Sequence, residues 1–240
     1  MTVDFSKAFQ IFQNNLPLFL YGVKITLLFA LVGTVVGFLI GLIVGGIRSV
    51  EIHSYDSTWT KIIKRLGRGI TSFYIWVFRG TPMIVQAVFI YYFLKPVLHW
   101  QALTAGLVII SINTGAYMSE IIRSGIQSVD RGQHEAAMSL GMSTTQTLFY
   151  IIFPQAIKNT FPSIGNQLIV NIKDSSMLNV ISVTELFFQT TSIAGTNLKF
   201  AETYLVSALI YLFLTTLASL LLNFLEKRLD TQEVSKDYCS

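Results

Sequence analysis

The sequence predicts an all-α membrane protein with about five transmembrane helices and a cytoplasmic docking element. Three observations carry this. Only 12% of the residues are charged, against ~25% in an ordinary soluble domain, while 52% are hydrophobic and the mean hydropathy is +0.58. The apolar residues fall into runs long enough to cross a hydrocarbon core of ~30 Å at ~1.5 Å per residue. Between two of these runs lies a polar island, residues 130–154, DRGQHEAAMSLGMSTTQTLFYIIFP, dense in helix formers and turn residues.

In chain order, Phe5, Ala8, Phe9 and Phe12 mark one face of an interfacial helix over residues 4–15. Residues 25–47 are 23 positions without a charge and form the first span. That span carries Gly33, Gly37, Gly41 and Gly45 on one stripe, a close-packing device used within the subunit or across a dimer. Residues 48–69 form a cytoplasmic loop with a second amphipathic helix. Its apolar face is Trp59, Ile62, Ile63 and Leu66, surrounded by Lys61, Lys64, Arg65 and Arg68, a composition suited to an anionic leaflet. Residues 70–94 are a span interrupted by Arg79, Gly80 and Pro82. Residues 102–118 span with Trp100 and Tyr117 as interfacial anchors. Residues 161–188 are a fourth span containing Lys173 and Asp174, with Pro154 and Pro162 breaking the backbone before it. Residues 204–225, 22 positions without a charge, are the fifth.

Lysine and arginine counts set the direction. Segments 48–69, 119–160 and 226–240 hold 11, whereas the N-terminal tail, 95–99 and 189–203 hold 3. The positive-inside bias puts the N-terminus outside and the C-terminus and the 130–154 island in the cytoplasm. The net charge of +4 is not gathered on one soluble face, so nucleic acid is not an expected partner. The single cysteine, Cys239, has no pairing or ligand companion, and His53, His99 and His134 are too scattered for a metal site. The first 20 residues show no basic start or A-x-A cleavage site.

Within the island, residues 133–140 form a helix, Gly141 fits a helix end with positive φ, and Ser143 with Gln146 makes a capping box for a second helix. Taken locally, this is either a docking element or a connecting loop with helix signals. Glu135, Ala136 and Ala137, then Gly141, then Ile151–x–Phe153–Pro154, resemble the EAA signature of permease subunits of bacterial ABC importers. The flanks FRGTPMIVQ (78–86), AYMSEIIRSGIQSVDRGQ (116–133) and IKDSSMLNVISVTEL (172–186) are similar to the polar amino acid permeases of that class.

The resemblance implies a type I importer permease of the bacterial cytoplasmic membrane. It implies a homo- or heterodimer of permease subunits, two cytoplasmic ATPase subunits coupled through Glu135, Ala136, Ala137 and Gly141, and an external amino-acid-binding protein. With no binding domain fused to this sequence, that protein is expected to be separate, and segment 48–69 is longer than in many relatives. The chain has no G-x-x-x-x-G-K-[S/T] phosphate loop and no catalytic constellation, so ATP and Mg are expected in the partner and no cofactor here.

Charges inside the spans are the candidates for the substrate path. Counted from Pro162, Lys173 lies ~16 Å along its helix, near the midplane, where ionisable groups usually face a cavity. Lys173 and Asp174 either satisfy each other or line the path with Ser175 and Ser176. Asn113 is interhelical glue or a path residue. Arg79 fastens the Pro82 kink or pairs with Glu120, and Glu120 pairs with Arg123 or serves as a gate. Glu185 and Glu202 are expected at a solvated outer loop. An ion-coupled transporter or channel using Lys173 and Asp174 is the alternative function.

Overall fold

The computed structural model describes residues 4–50, 52 and 57–237, with side chains described as far as Arg228. Cys239 and part of the 48–69 segment, including His53, lie outside the described residues. Among the described residues every regular element is helical: α1 Phe5–Asn14, α2 Leu16–Ser49, α3 Thr58–Gly80, α4 Met83–Leu98, α5 Ala102–Ser128, α6 Arg131–Ser139, α7 Thr144–Thr147, α8 Phe153–Asp174, α9 Leu186–Asn197 and α10 Phe200–Asp237. A π turn, Leu148–Ile152, leads into α8, and a 3-10 stretch, Ser175–Ile181, follows it.

The glycine stripe of α2 fixes the centre of the bundle, and it works within the subunit. Gly33 faces Ile110, Gly37 faces Thr114, Gly41 faces Met118 and Gly45 faces Ile122. Both rows advance by four residues and rise together, so α2 and α5 run parallel at near backbone contact. α8 runs the other way: Asn171 bonds Thr34 and Thr114, Thr160 lies against Gly125, and Phe153 meets Gly46. α10 is antiparallel to α8, with Gly165 against Leu222 and Ile172 clustered with Ala30 and Leu214.

The return between α2 and α5 is made in two legs. Gly67 of α3 sits beside Ile47 near the end of α2, and Tyr74 donates its hydroxyl hydrogen to the Ile112 carbonyl. Met83, Ala87 and Tyr91 of α4 then join Ile25, Phe29, Ala105 and Ile109 in the largest core cluster. The chain direction bends by 113° between the two legs. Pro82 disfavours helix at the residue before it, and Thr81 is extended, with φ −125° and ψ 148°.

Several expectations are corrected. Trp59 to Leu66 are not a separate surface helix but the first turns of α3, because no proline stands between Thr58 and Gly80 and the helix runs through Gly67 and Gly69. α1 turns Ala8, Ile11 and Phe12 toward Phe19, Leu186 and Val206 while Phe5 and Phe9 stay exposed, so only half of the expected face is covered. Asp4 caps α1 and pairs with Lys7 at 3.1 Å, a bond that holds its carboxyl below the usual range. Pro154 and Pro162 do not interrupt the backbone. Pro154 follows the wide π turn and sits in the first turn of α8, where no intrahelical N–H is needed. Pro162 lies inside an unbroken helix. α8 therefore starts at Phe153 and places Lys173 in its last turn, and the predicted 161–188 span is a helix, a 3-10 stretch and the separate α9.

α2, α5 and α10 are long and apolar enough to cross a membrane, and the bent α3–α4 pair is a fourth candidate span. α8, 22 residues long, runs beside them but carries Lys158, Asn159, Asn166, Gln167, Asn171, Lys173 and Asp174. It is a polar pass sheltered by α2, α5 and α10.

Candidate functional site

The island folds as an exposed, doubly capped element at the end of the bundle where α2 and α5 finish and α8 starts. Asp130 accepts from the Gly132 N–H at 2.7 Å and starts α6. The helix ends in a Schellman turn: Gly141 N donates to Met138 O at 3.0 Å and Met142 N to Ala137 O at 3.2 Å, with Gly141 at φ 82°. The Ser143–Gln146 capping box then closes both ways, at 2.8 and 3.3 Å. Ala137 is buried, while Glu135 and Ala136 face outward and Leu140, at the turn, is 84% exposed.

Above this element, Glu120 gathers three guanidinium groups from three places in the chain. Arg48, at the end of α2, donates to Oε1. Arg123 donates to Oε2 through Nη2 at 2.9 Å and Nε at 3.2 Å. Arg79, at the end of α3, stands 3.9 Å from Oε2 and over the Tyr117 ring, 5.4 Å from its centroid. Arg48 was not anticipated from the sequence, because its partner lies 72 positions away.

The kink beside Arg79 is fastened by other groups. Gln86 donates to the Phe78 and Thr81 carbonyls at 3.0 and 2.9 Å, and its own carbonyl accepts from Asn113 at 2.8 Å. Pro82 opens α4 and exposes its ring. Asn113, 5% exposed, is thus bonded between helices rather than facing a passage.

The 173–176 group sits at the far end of α8. Lys173 is exposed and Asp174 half-buried, and among the described residues they form no ion pair, since adjacent helix positions point ~100° apart. Ser175 is buried and donates to Ile172 O at 2.9 Å, and Ser176 donates to Lys173 O at 2.7 Å. Glu185, expected in a solvated loop, is fully buried. It caps α9 by accepting from the Phe187 and Phe188 N–H groups, each at 2.8 Å, and from the Tyr211 hydroxyl at 2.8 Å. The acidic residue just before the 186–197 helix was a capping signal in the sequence; its burial was not readable there. No cluster of metal-ligating side chains occurs among the described residues.

A cleft of about 290 Å³ opens next to the Glu120 cluster, lined by Arg79, Tyr117, Ser124, Thr160, Ser163 and Gln167. It lies between the end of α3, the outer face of α5 and the middle of α8. Its polar side chains come from three helices, so it forms only in the folded bundle.

Residues 58–231 match the family described as the binding-protein-dependent transport system inner membrane component. The glutamine transport system permease protein GlnP of Escherichia coli (strain K12) is 36% identical over 217 residues, covering 89% of this chain and 94% of GlnP. The arginine transport system permease protein ArtQ of Bacillus subtilis is 32% identical over 239 residues, covering 99% of this chain and all of ArtQ. A crystal structure of an amino acid ABC transporter with histidines superposes with a TM-score of 0.80 at 38% identity, covering 95% of this chain and 100% of that one. The inward-facing MetNI methionine ABC transporter superposes at 0.76 with 18% identity, over 90% and 98% of the two chains, a likeness of fold alone.

Proposed function

The chain belongs to the inner-membrane-component family of binding-protein-dependent transport systems and is a multi-pass permease subunit of an ABC importer; we propose that it forms the path for a polar amino acid. The observation that carries this substrate class is that relatives alike along nearly their whole length are named as glutamine and arginine permeases. The ion-coupled alternative has no support from these likenesses.

Membership implies ATPase partners and a substrate-binding protein. The finer assembly is two permease subunits, identical or related, and two ATPase subunits that hold ATP and Mg. The positive-inside bias supports a cytoplasmic position for residues 130–154, and an outward N-terminus follows from the parallel run of α2 and α5. The exposed Leu140 turn and Glu135 dock in the ATPase, and the two caps make the element stiff enough to transmit its movement as a rigid body. Pro82 sets the bend, and Arg79 and Glu120 form part of the charge cluster directly above the docking element, where an access change would be gated. Asp174, with Lys173, Ser175 and Ser176, belongs to the upper part of the path.

Reconstitution with the ATPase and binding protein, followed by uptake of a panel of radiolabelled L-amino acids, tests the reading. ATP-dependent uptake of one or more is expected, and Glu135→Lys or Gly141→Asp is expected to abolish it while the membrane dimer still purifies. Normal uptake in both variants would remove the coupling role, and uptake driven by an ion gradient without ATP would overturn the whole reading.

A further inference from the structure

The first half of α3 carries charge and apolar surface that the bundle leaves uncovered. The helix holds Lys61, Lys64, Arg65, Arg68 and Arg79 and no acidic residue in its 23 positions. Arg65 is exposed and makes no hydrogen bond or ion pair among the described residues. Arg68 donates to the Val50 carbonyl, just past the end of α2, at 2.6 Å. That bond fixes the start of α3 at the end of the bundle where the docking element lies.

The apolar residues of the same turns point outward. Trp59, Ile62, Ile63, Leu66, Ile70 and Phe73 fall within an arc of about 100° on the helix, and they are 42–76% exposed. The buried residues of α3, Thr71 and Ile75, lie on another side of the helix. The exposed stripe runs ~21 Å along the axis from Trp59 to Phe73. Arg65 stands on its flank, three positions from Ile62. Trp59 opens the stripe, and tryptophan is the side chain that settles at the headgroup level of a bilayer.

The charge decides what covers this face. A two-fold contact through it would set one all-cationic helix against its own copy, and like charges across an interface are costly. An anionic leaflet fits both parts of the surface: acyl chains cover the stripe and phosphates meet the cations. We propose that the first half of α3 is a binding surface for anionic lipid headgroups of the leaflet at the docking-element end, with Arg65 as a headgroup contact. The helix is unbroken from Thr58 to Gly80, so Arg65 and Arg79 stand ~21 Å apart on one rod. Headgroups that hold the start of the rod thereby also act on Arg79 and the bend at Pro82.

The test uses the permease–ATPase complex in phosphatidylcholine nanodiscs containing brominated phosphatidylglycerol or, separately, brominated phosphatidylcholine. Bromine quenches a nearby tryptophan, and the share due to Trp59 is the difference from the Trp59→Phe complex. The brominated phosphatidylglycerol is expected to quench Trp59 at a roughly five-fold lower mole fraction than the brominated phosphatidylcholine, the factor for one cation near an anionic surface. Arg65→Gln is expected to bring the two lipids near equality, Arg65→Glu to invert the order and Arg65→Lys to keep it. Equal quenching in the parent, or an unchanged ratio in Arg65→Glu, would overturn the proposal. Quenching by neither lipid would show that a second copy or the ATPase covers this face, and overturns it as well. Arg65 bonds nothing among the described residues, so its variants are expected to assemble. Should they fail, the lipid retained by the unaltered complex from an equal mixture decides: an excess of phosphatidylglycerol that is lost in 1 M salt supports the surface, and no excess overturns it.

Discussion

Gly41 lies so close to Met118 that a Cβ added at the glycine would stand 2.5 Å from the methionine Cβ and 2.9 Å from its carbonyl carbon. The second neighbour is backbone and cannot step aside. Gly69, on α3, has nothing within 4 Å of the same added atom. Gly41→Ala is therefore expected to destabilise by about 1–3 kcal/mol through overpacking, whereas Gly69→Ala is expected to be neutral or slightly stabilising. Thermal melting of the two purified variants in one detergent separates them; equal midpoints would mean that α2 and α5 are not in this register.

The Glu120 cluster calls for a comparison of single and double variants. Glu120→Gln leaves Arg48 and Arg123 sheltered without a counter-charge, while Arg48→Gln leaves Glu120 still held by Arg123. Removing one member of a buried pair costs about 3–5 kcal/mol, and the one-fifth exposure of the Glu120 side chain lowers this to roughly 2 kcal/mol. The expected order of melting midpoints puts Glu120→Gln lowest, with the Arg48→Gln/Glu120→Gln double variant partly recovered. A double variant worse than the sum of its singles would show that the arginines are not held in place by Glu120.

Much of this was written in the sequence, and the parts that were not have physical reasons. The four-residue spacing of Gly33 to Gly45 announced a close helix contact, and Gly141 with the Ser143–Gln146 box announced two capped helices, because both signals are local. Their partners were not legible: Ile110, Thr114, Met118 and Ile122 share the spacing but have no chemistry in common. Pro162 misled because a proline is read as a break, yet inside α8 neighbouring helices support the backbone around it. Of the expected path residues, Asn113 and Ser175 are bonded internally, whereas the cleft residues Gln167 and Ser163 are ordinary polar letters until α3, α5 and α8 come together.

The bend at Pro82 is held by Gln86 as well as by the proline ring. Its amide binds two carbonyls that the bend frees and is itself oriented by Asn113. Gln86→Leu keeps the volume but strands those carbonyls at about 1–3 kcal/mol each, so a loss of roughly 2 kcal/mol or more is expected. Asn113→Leu removes the orienting bond and a long 3.5 Å bond to the Phe78 carbonyl, which Gln86 still holds, and is expected to have a smaller effect. Melting curves and ATP-driven uptake per folded complex test the order, and a Gln86→Leu protein as stable as the parent would show that the hinge is held elsewhere.

Glu185 and Tyr211 provide the last test, at the end of the bundle away from the docking element. The carboxylate satisfies two N–H groups at the start of α9 and the hydroxyl of α10, while the Leu186 N–H donates to Thr26 of α2 at 3.2 Å. Three helices thus meet around one buried acid. Glu185→Ala strands two amide donors and a hydroxyl and is expected to lower stability by about 2 kcal/mol or more, and Tyr211→Phe by about 1 kcal/mol. Because the group is sealed from solvent, its role is to hold α9 and not to receive the binding protein. Stimulation of ATP hydrolysis by the binding protein, measured per folded complex below the melting range, is therefore expected to be unchanged in Tyr211→Phe. A stable Glu185→Ala complex that has lost this stimulation would instead place the acid at the binding-protein contact.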